Sequence, residues 1–126
     1  MTLRAGVDLI EVARIEAALA RFGERFLQRV YTPQELGDSG GRAASLAARF
    51  AAKEAAAKAL GCGIGAVRWT EIEVVSGPDR QPALRLHGAA DRLSRQLGVQ
   101  TWALSLSHTH AHALAFVAAL APAGPP

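Results

Sequence analysis

Apolar side chains recur along this chain with two different periods, and each change of period marks a change of element. Leu3 to Leu9 is a short apolar run interrupted by Gly6 and Asp8, which predicts a strand that ends at the acid. From about Ile10 to Phe22, Ile15, Leu19 and Phe22 recur at helical spacing, and Gly23 stops that helix before a further helical stretch, Glu24 to Val30. Thr32-Pro33-Gln34-Glu35 puts Thr at the N-cap, Pro at the first helical position and Glu at the third, so another helix begins there. Gly37 to Gly41 predicts a flexible joint. Arg42 to Leu60 predicts a long alanine-rich helix closed by Gly61, because glycine accepts the left-handed conformation at a helix end. After the GCGIG loop, Trp69 to Val75 and Ala83 to Leu86 predict two strands joined into a hairpin by SGPDRQP. Gly88 to Leu97 predicts a helix ending at Gly98. Thr101 to Ser107 and Ala111 to Ala119 predict two more strands around His-Thr-His, although the alanines of the last would suit a helix too. This order favours an α+β fold over a regular parallel α/β fold.

Length and composition narrow the picture. The 126 residues suit one domain, expected to span residues 1–120, with the APAGPP tail, residues 121–126, expected to be disordered. The longest apolar run, Ala113 to Pro122, falls far short of the roughly 20 residues that a membrane span needs, and MTLRAG lacks the apolar core of a signal peptide. With a lone Cys62 that cannot form an intramolecular disulfide, a cytoplasmic protein is the expectation. A net charge of +3 and a pI near 9.8 favour an anionic partner without choosing among phosphate, nucleic acid and acidic protein. Of the 14 basic residues only two are lysines, Lys53 and Lys58, and both lie in the long helix.

On that helix, at 100° per residue, Leu46 and Ala57 fall close to Phe50 and form the expected buried stripe. Glu54 and Lys58 sit at one edge of the stripe, Arg49 and Lys53 at the other. Glu54 and Lys58 could be a surface pair at i,i+4. Alternatively, one carboxylate surrounded by Arg49, Lys53 and Lys58 is what a diphosphate carrying Mg²⁺ would require. Such an ion takes one or two protein carboxylates, and Asp8, interrupting an apolar run, is the candidate for the second. Asp8 with Glu11 also matches a capping box for the first helix.

Gly6-Val7-Asp8 followed by Glu11 and Arg14 forms one block. Phe50, Lys53-Glu54-Ala55, Lys58-Ala59 and Gly61 form another, and Ser105-Leu106-Ser107-His108-Thr109 a third. In order and separation the chain resembles the small magnesium-dependent 4'-phosphopantetheinyl transferases of the holo-[acyl-carrier-protein] synthase family. The resemblance implies a fold in which an antiparallel sheet packs with a long helix and shorter helices. It implies that Asp8 and Glu54 coordinate Mg²⁺ on the diphosphate of coenzyme A, with Lys58 assisting. The 4'-phosphopantetheine arm would pass to a serine of apo acyl carrier protein, Glu54 or a water on the metal taking the serine proton. By the same resemblance the coenzyme lies against Arg49, Lys58, the loop glycines Gly61, Gly63 and Gly65, Pro82, His108 and Thr109. The protein would be a homotrimer with its sites between neighbouring subunits.

Gly61-Cys62-Gly63-Ile64-Gly65 follows a helix, so it is not the strand-to-helix turn of a dinucleotide-binding fold. His108, His110 and His112 would share one face of a strand, but i, i+2 positions lie about 7 Å apart, too far for three imidazoles to meet one Zn²⁺. Arg14, Arg21 and Arg25 share a narrow sector if the helix continues past Gly23, a basic stripe suited to docking an acidic carrier protein. The competing expectation, a basic nucleic-acid-binding module, lacks a stacking platform, since the seven aromatic residues do not alternate with the basic ones.

Overall fold

The computed structural model describes residues 1–122. Strand β1 (Thr2–Glu11) leads into helices α1 (Val12–Phe22), α2 (Glu24–Val30) and α3 (Pro33–Ser39), then the long helix α4 (Ala43–Ala59). Strands β2 (Ile72–Ser76) and β3 (Pro82–Leu86), helix α5 (Gly88–Gln96) and strands β4 (Thr101–His108) and β5 (His112–Ala121) complete the chain. The expected α+β architecture is present. Strands β1, β5 and β4 form one antiparallel sheet in that order, and β2 pairs with β3 in a separate hairpin.

Several boundaries differ from expectation for identifiable reasons. Strand β1 does not end at Asp8: it continues to Glu11 because β5 pairs with it along its whole length, Asp8 opposite Ala115 and Glu11 opposite His112. The capping box read at Asp8 and Glu11 is therefore not formed, and Glu11 is the N-cap of α1 without a side-chain cap. Gly37 lies inside α3 and the expected joint shrinks to its end, where Gly40 adopts a left-handed conformation. Trp69–Glu71 forms a short 3-10 turn before β2 rather than the start of a strand. Ala121, read as the first residue of the tail, is instead the last residue of β5, paired with Thr2; residues 123–126 lie outside the described residues.

Helix α4 is buried on nearly every face, not along one stripe. Its inner alanines Ala51, Ala52, Ala55, Ala56 and Ala59 meet a sheet face made of Gly6, Ile10, Ala113, Ala115, Val117 and Ala119. Small residues on both sides let helix and sheet approach closely, and Gly6 is the extreme case. A Cβ on Gly6 would collide with the backbone carbonyl of Ala55, and that atom cannot move without breaking the helix.

The same burial overtakes Lys53, expected at the edge of an anion site. It is 0% exposed and donates to Glu35 Oε1 at 2.7 Å, Ile72 O at 2.6 Å and Trp69 O at 3.0 Å, so all three ammonium protons are used. Burial lowers the Lys53 pKa, while the charge of and hydrogen bond to Glu35 oppose the shift. Glu35 also accepts from the backbone N–H groups of Thr32 and Val74, closing the expected Thr32 capping box. Lys53 is an internal tie between α3, α4 and the start of β2. Lys53→Met should destabilise the protein by about 3–5 kcal/mol in urea unfolding, because it strands a buried carboxylate, and adding Glu35→Gln should recover part of the loss.

Candidate active site

Along β1 the positions of Arg4, Gly6 and Asp8 face inward toward α4, while the side chains of Leu3, Val7 and Leu9 point outward. Opposite this row α4 presents Glu54, Ala55, Lys58 and Ala59, one helical turn after the next. The contact at Gly6 fixes the helix against the strand, and the charged residues meet on either side of it. Lys58 Nζ donates to the Val7 carbonyl at 2.9 Å and reaches Asp8 Oδ1 at 3.4 Å. Lys58 thus turns across to β1 and is not spent in a surface pair with Glu54.

Glu54 shares this corner. Its pKa is raised above the ordinary carboxylate range, first by burial and then by the negative charge of Asp8, while Lys58 and Arg14 oppose the shift. Two carboxylates that repel one another, with one partly exposed ammonium beside them, form a site short of positive charge. That oxygen donor set suits a hard divalent cation whose remaining ligands are phosphate oxygens and water. Among the described residues no group of three or more His, Cys, Asp and Glu side chains gathers as a metal site, so a cation here would rest on these two acids.

The glycine loop follows directly. Leu60 caps α4, Gly61 takes a left-handed φ of 75°, and Cys62 N donates back to Ala57 O. Burial pushes the Cys62 thiol up, which keeps it protonated and a poor nucleophile.

The remaining candidates divide. Arg49 is buried, bonded to the Ser45 hydroxyl and carbonyl, and lies roughly 140° around α4 from Glu54. Pro82 opens β3, paired with Ser76. His108 ends β4 while Thr109 organises the turn into β5, its hydroxyl accepting from Ala111 and His112 N–H groups. This turn also corrects the expectation that His108, His110 and His112 alternate on one strand, since His110 lies in the turn and His112 begins β5. Within a single chain these residues do not join Asp8 and Glu54 through any of the hydrogen bonds or ion pairs described.

The helix does not continue through Gly23, whose φ of 55° separates α1 from α2. Arg14 and Arg21 therefore stand on α1 and Arg25 on α2, all exposed. Beyond the break lies a groove that the sequence reading missed, lined by Phe22, Arg25, Phe26, Arg29, Phe50 and Trp69. Its signal was present in Phe22, Phe26 and Phe50, but pairing them required knowing that Trp69 stacks on Phe50, ring centroids 4.5 Å apart.

A family model described as the 4'-phosphopantetheinyl transferase superfamily matches residues 4–117. The chain belongs to the 4'-phosphopantetheinyl transferase superfamily. Its curated relatives bear out the narrower resemblance. A holo-[acyl-carrier-protein] synthase of Herpetosiphon aurantiacus is 51% identical over 122 residues, covering 91% of this chain and 96% of its own. Another, of Moorella thermoacetica, is 47% identical over 116 residues, covering 90% of each. Among solved structures, the Helicobacter pylori holo-[acyl-carrier-protein] synthase in complex with coenzyme A matches with a TM-score of 0.83 at 32% identity, covering 92% of this chain and 99% of that one. The Neisseria meningitidis synthase matches with a TM-score of 0.85 at 36% identity, covering 93% and 97%. This transferase is thus an enzyme, as the three sequence blocks implied, with the fold they implied.

Because folding raises the pKa of Glu54, the charged carboxylate is less favourable in the folded transferase than in the unfolded chain at every pH above the folded pKa. Stability from this group is therefore gained as pH falls through the folded pKa. Glu54→Gln should raise the Tm near pH 7 in metal-free buffer, and the gain should vanish below the unfolded carboxylate pKa. Calorimetry at pH 7 and pH 3.5 checks both.

Proposed function

We propose that this enzyme transfers the 4'-phosphopantetheine arm of coenzyme A to a serine hydroxyl of an apo acyl carrier protein, with Mg²⁺ held by Asp8 and Glu54. The observation that carries this reading is the convergence of Asp8, Glu54 and Lys58 where β1 crosses α4. The serine oxygen forms a bond to the phosphorus bearing the pantetheine arm. The bond from that phosphorus to the bridging oxygen breaks, and adenosine 3',5'-bisphosphate leaves with the electron pair while the serine proton passes to Glu54 or to water. A divalent ion on the two acids would neutralise charge on the diphosphate. Lys58, half exposed, can leave the Val7 carbonyl to reach a phosphate oxygen. Gly61, Gly63 and Gly65 leave the adjoining loop open to close approach.

The carrier protein docks on the arginine face. Arg25 and Arg29 line the groove of Phe22, Phe26, Phe50 and Trp69, with Arg14 and Arg21 exposed on the preceding helix, and an apolar floor with cations beside it is complementary to an acidic amphipathic helix. Mixing the protein with apo carrier protein and coenzyme A should add one phosphopantetheine by intact mass with Mg²⁺ present and none with chelator. In the same assay Arg14→Glu should raise the KM for carrier protein about tenfold or more and leave that for coenzyme A within about twofold. Transfer unaffected by chelator, or undiminished in Asp8→Asn and Glu54→Gln, would overturn the assignment.

We also propose that three copies associate through the outer face of the sheet. Leu3, Val7 and Leu9 of β1 and Leu114 and Phe116 of β5 are exposed there, Leu3 by 74% and Leu9 by 61%, in one contiguous apolar array. Association would bring Arg49, Pro82, His108 or Thr109 of a neighbour to the coenzyme. Light scattering should give a trimer mass, reduced to a monomer by Leu9→Glu with Phe116→Glu.

A further inference from the structure

Arg4 occupies the inward row of β1 two residues before Gly6 and four before Asp8, yet nothing in the mechanism above uses it. Its guanidinium crosses to the far end of α4, where Nε donates to the Ala59 carbonyl at 2.7 Å. The preceding helical carbonyls already have partners: Ala56 O accepts from Leu60, Ala57 O from Cys62 and Lys58 O from Gly61. Arg4 thus supplies the donor for the last carbonyl of the helix and puts a fixed positive charge at its negative end. The same guanidinium lies against the glycine loop, with Nη2 3.1 Å from where a Cβ on Gly61 would stand. Arg4 therefore holds the residue that follows Lys58 and lies beside the residue that opens the loop.

We propose that Arg4 is a positioning residue of the coenzyme site. By tying the C-terminal turn of α4 to β1, it keeps Lys58 and the Gly61–Gly65 loop in register with Asp8. This inference rests on the coenzyme reading above. The row is then a three-point attachment of strand to helix: Asp8 faces Lys58, Gly6 abuts Ala55 and Arg4 bonds Ala59. Removing Arg4 leaves the first two points intact and frees only the last helical turn and the loop. The consequence falls on groups that would touch the coenzyme and not on the carrier-docking face of α1 and α2.

The test compares wild type, Arg4→Met and Arg4→Lys by calorimetric titration with coenzyme A in Mg²⁺ and by steady-state transfer. Arg4→Met should weaken coenzyme binding and raise its KM by about tenfold, the size expected for loss of a charged hydrogen bond, while the KM for carrier protein changes less than about twofold. Arg4→Lys, which keeps the charge at the helix end, should recover part of the coenzyme affinity. Unchanged coenzyme affinity in Arg4→Met, or both KM values rising together with a fall in Tm and no recovery by lysine, would overturn the proposal. If the wild-type protein binds coenzyme A without transferring from it, the transfer reading fails alone and Arg4 is judged on binding. A wild-type protein that does not bind coenzyme A overturns both.

Discussion

The close passage of helix α4 over strand β1 is the constraint on which the rest of the structure depends. It exists because residue 6 has no side chain, so the Ala55 carbonyl can occupy the space a Cβ would fill. Alanines along both surfaces extend the approach to β5. A larger residue at any of these inner positions would lift the helix, and the lever arm would act on Glu54 and Lys58, which sit beside the contact. Packing density and the position of the charged groups are in this sense one property. The geometry that assembles the corner also creates its electrostatics, since Asp8 and Glu54 are close enough to raise the proton affinity of Glu54 only because the backbones lie so near.

The helix is held from its other side by a different kind of interaction. Lys53, adjacent to Glu54 in sequence, is turned into the core and saturated by Glu35 and two carbonyls. One of those carbonyls belongs to Trp69, whose ring stacks on Phe50 in the groove beneath α2. A single buried ammonium therefore fixes both the rotation of α4 about its axis and the aromatic wall of the groove. Neighbouring charged residues in one motif are placed oppositely, Lys53 sealed in the core and Glu54 left partly open to solvent.

Much of this was legible in the sequence, and what was not has a physical cause. Thr32-Pro33-Gln34-Glu35 specifies its helix through hydrogen bonds made within four residues, and the capping box formed as expected. Gly61 was placed correctly because a left-handed helix end is a local demand. Lys53 was misread because its partners lie 16 to 19 residues away, and no helical wheel reveals that a charge on an alanine-rich helix is enclosed by other elements. Asp8 was read as a strand end for a similar reason: only pairing with β5, more than 100 residues later, carries β1 on to Glu11. Arg4 gave no periodic or motif signal at all, since its partner is a backbone carbonyl.

The pleat of β1 places Asp8 on one side of the sheet and its neighbours Val7 and Leu9 on the other. The strand is only one backbone thick, so the acid and the apolar face are opposite surfaces of the same short segment. Pressure on Val7 and Leu9 from outside is transmitted to the Asp8 carboxylate through a single peptide unit on each side. A partner covering that outer face would therefore bear on the floor on which the acid stands.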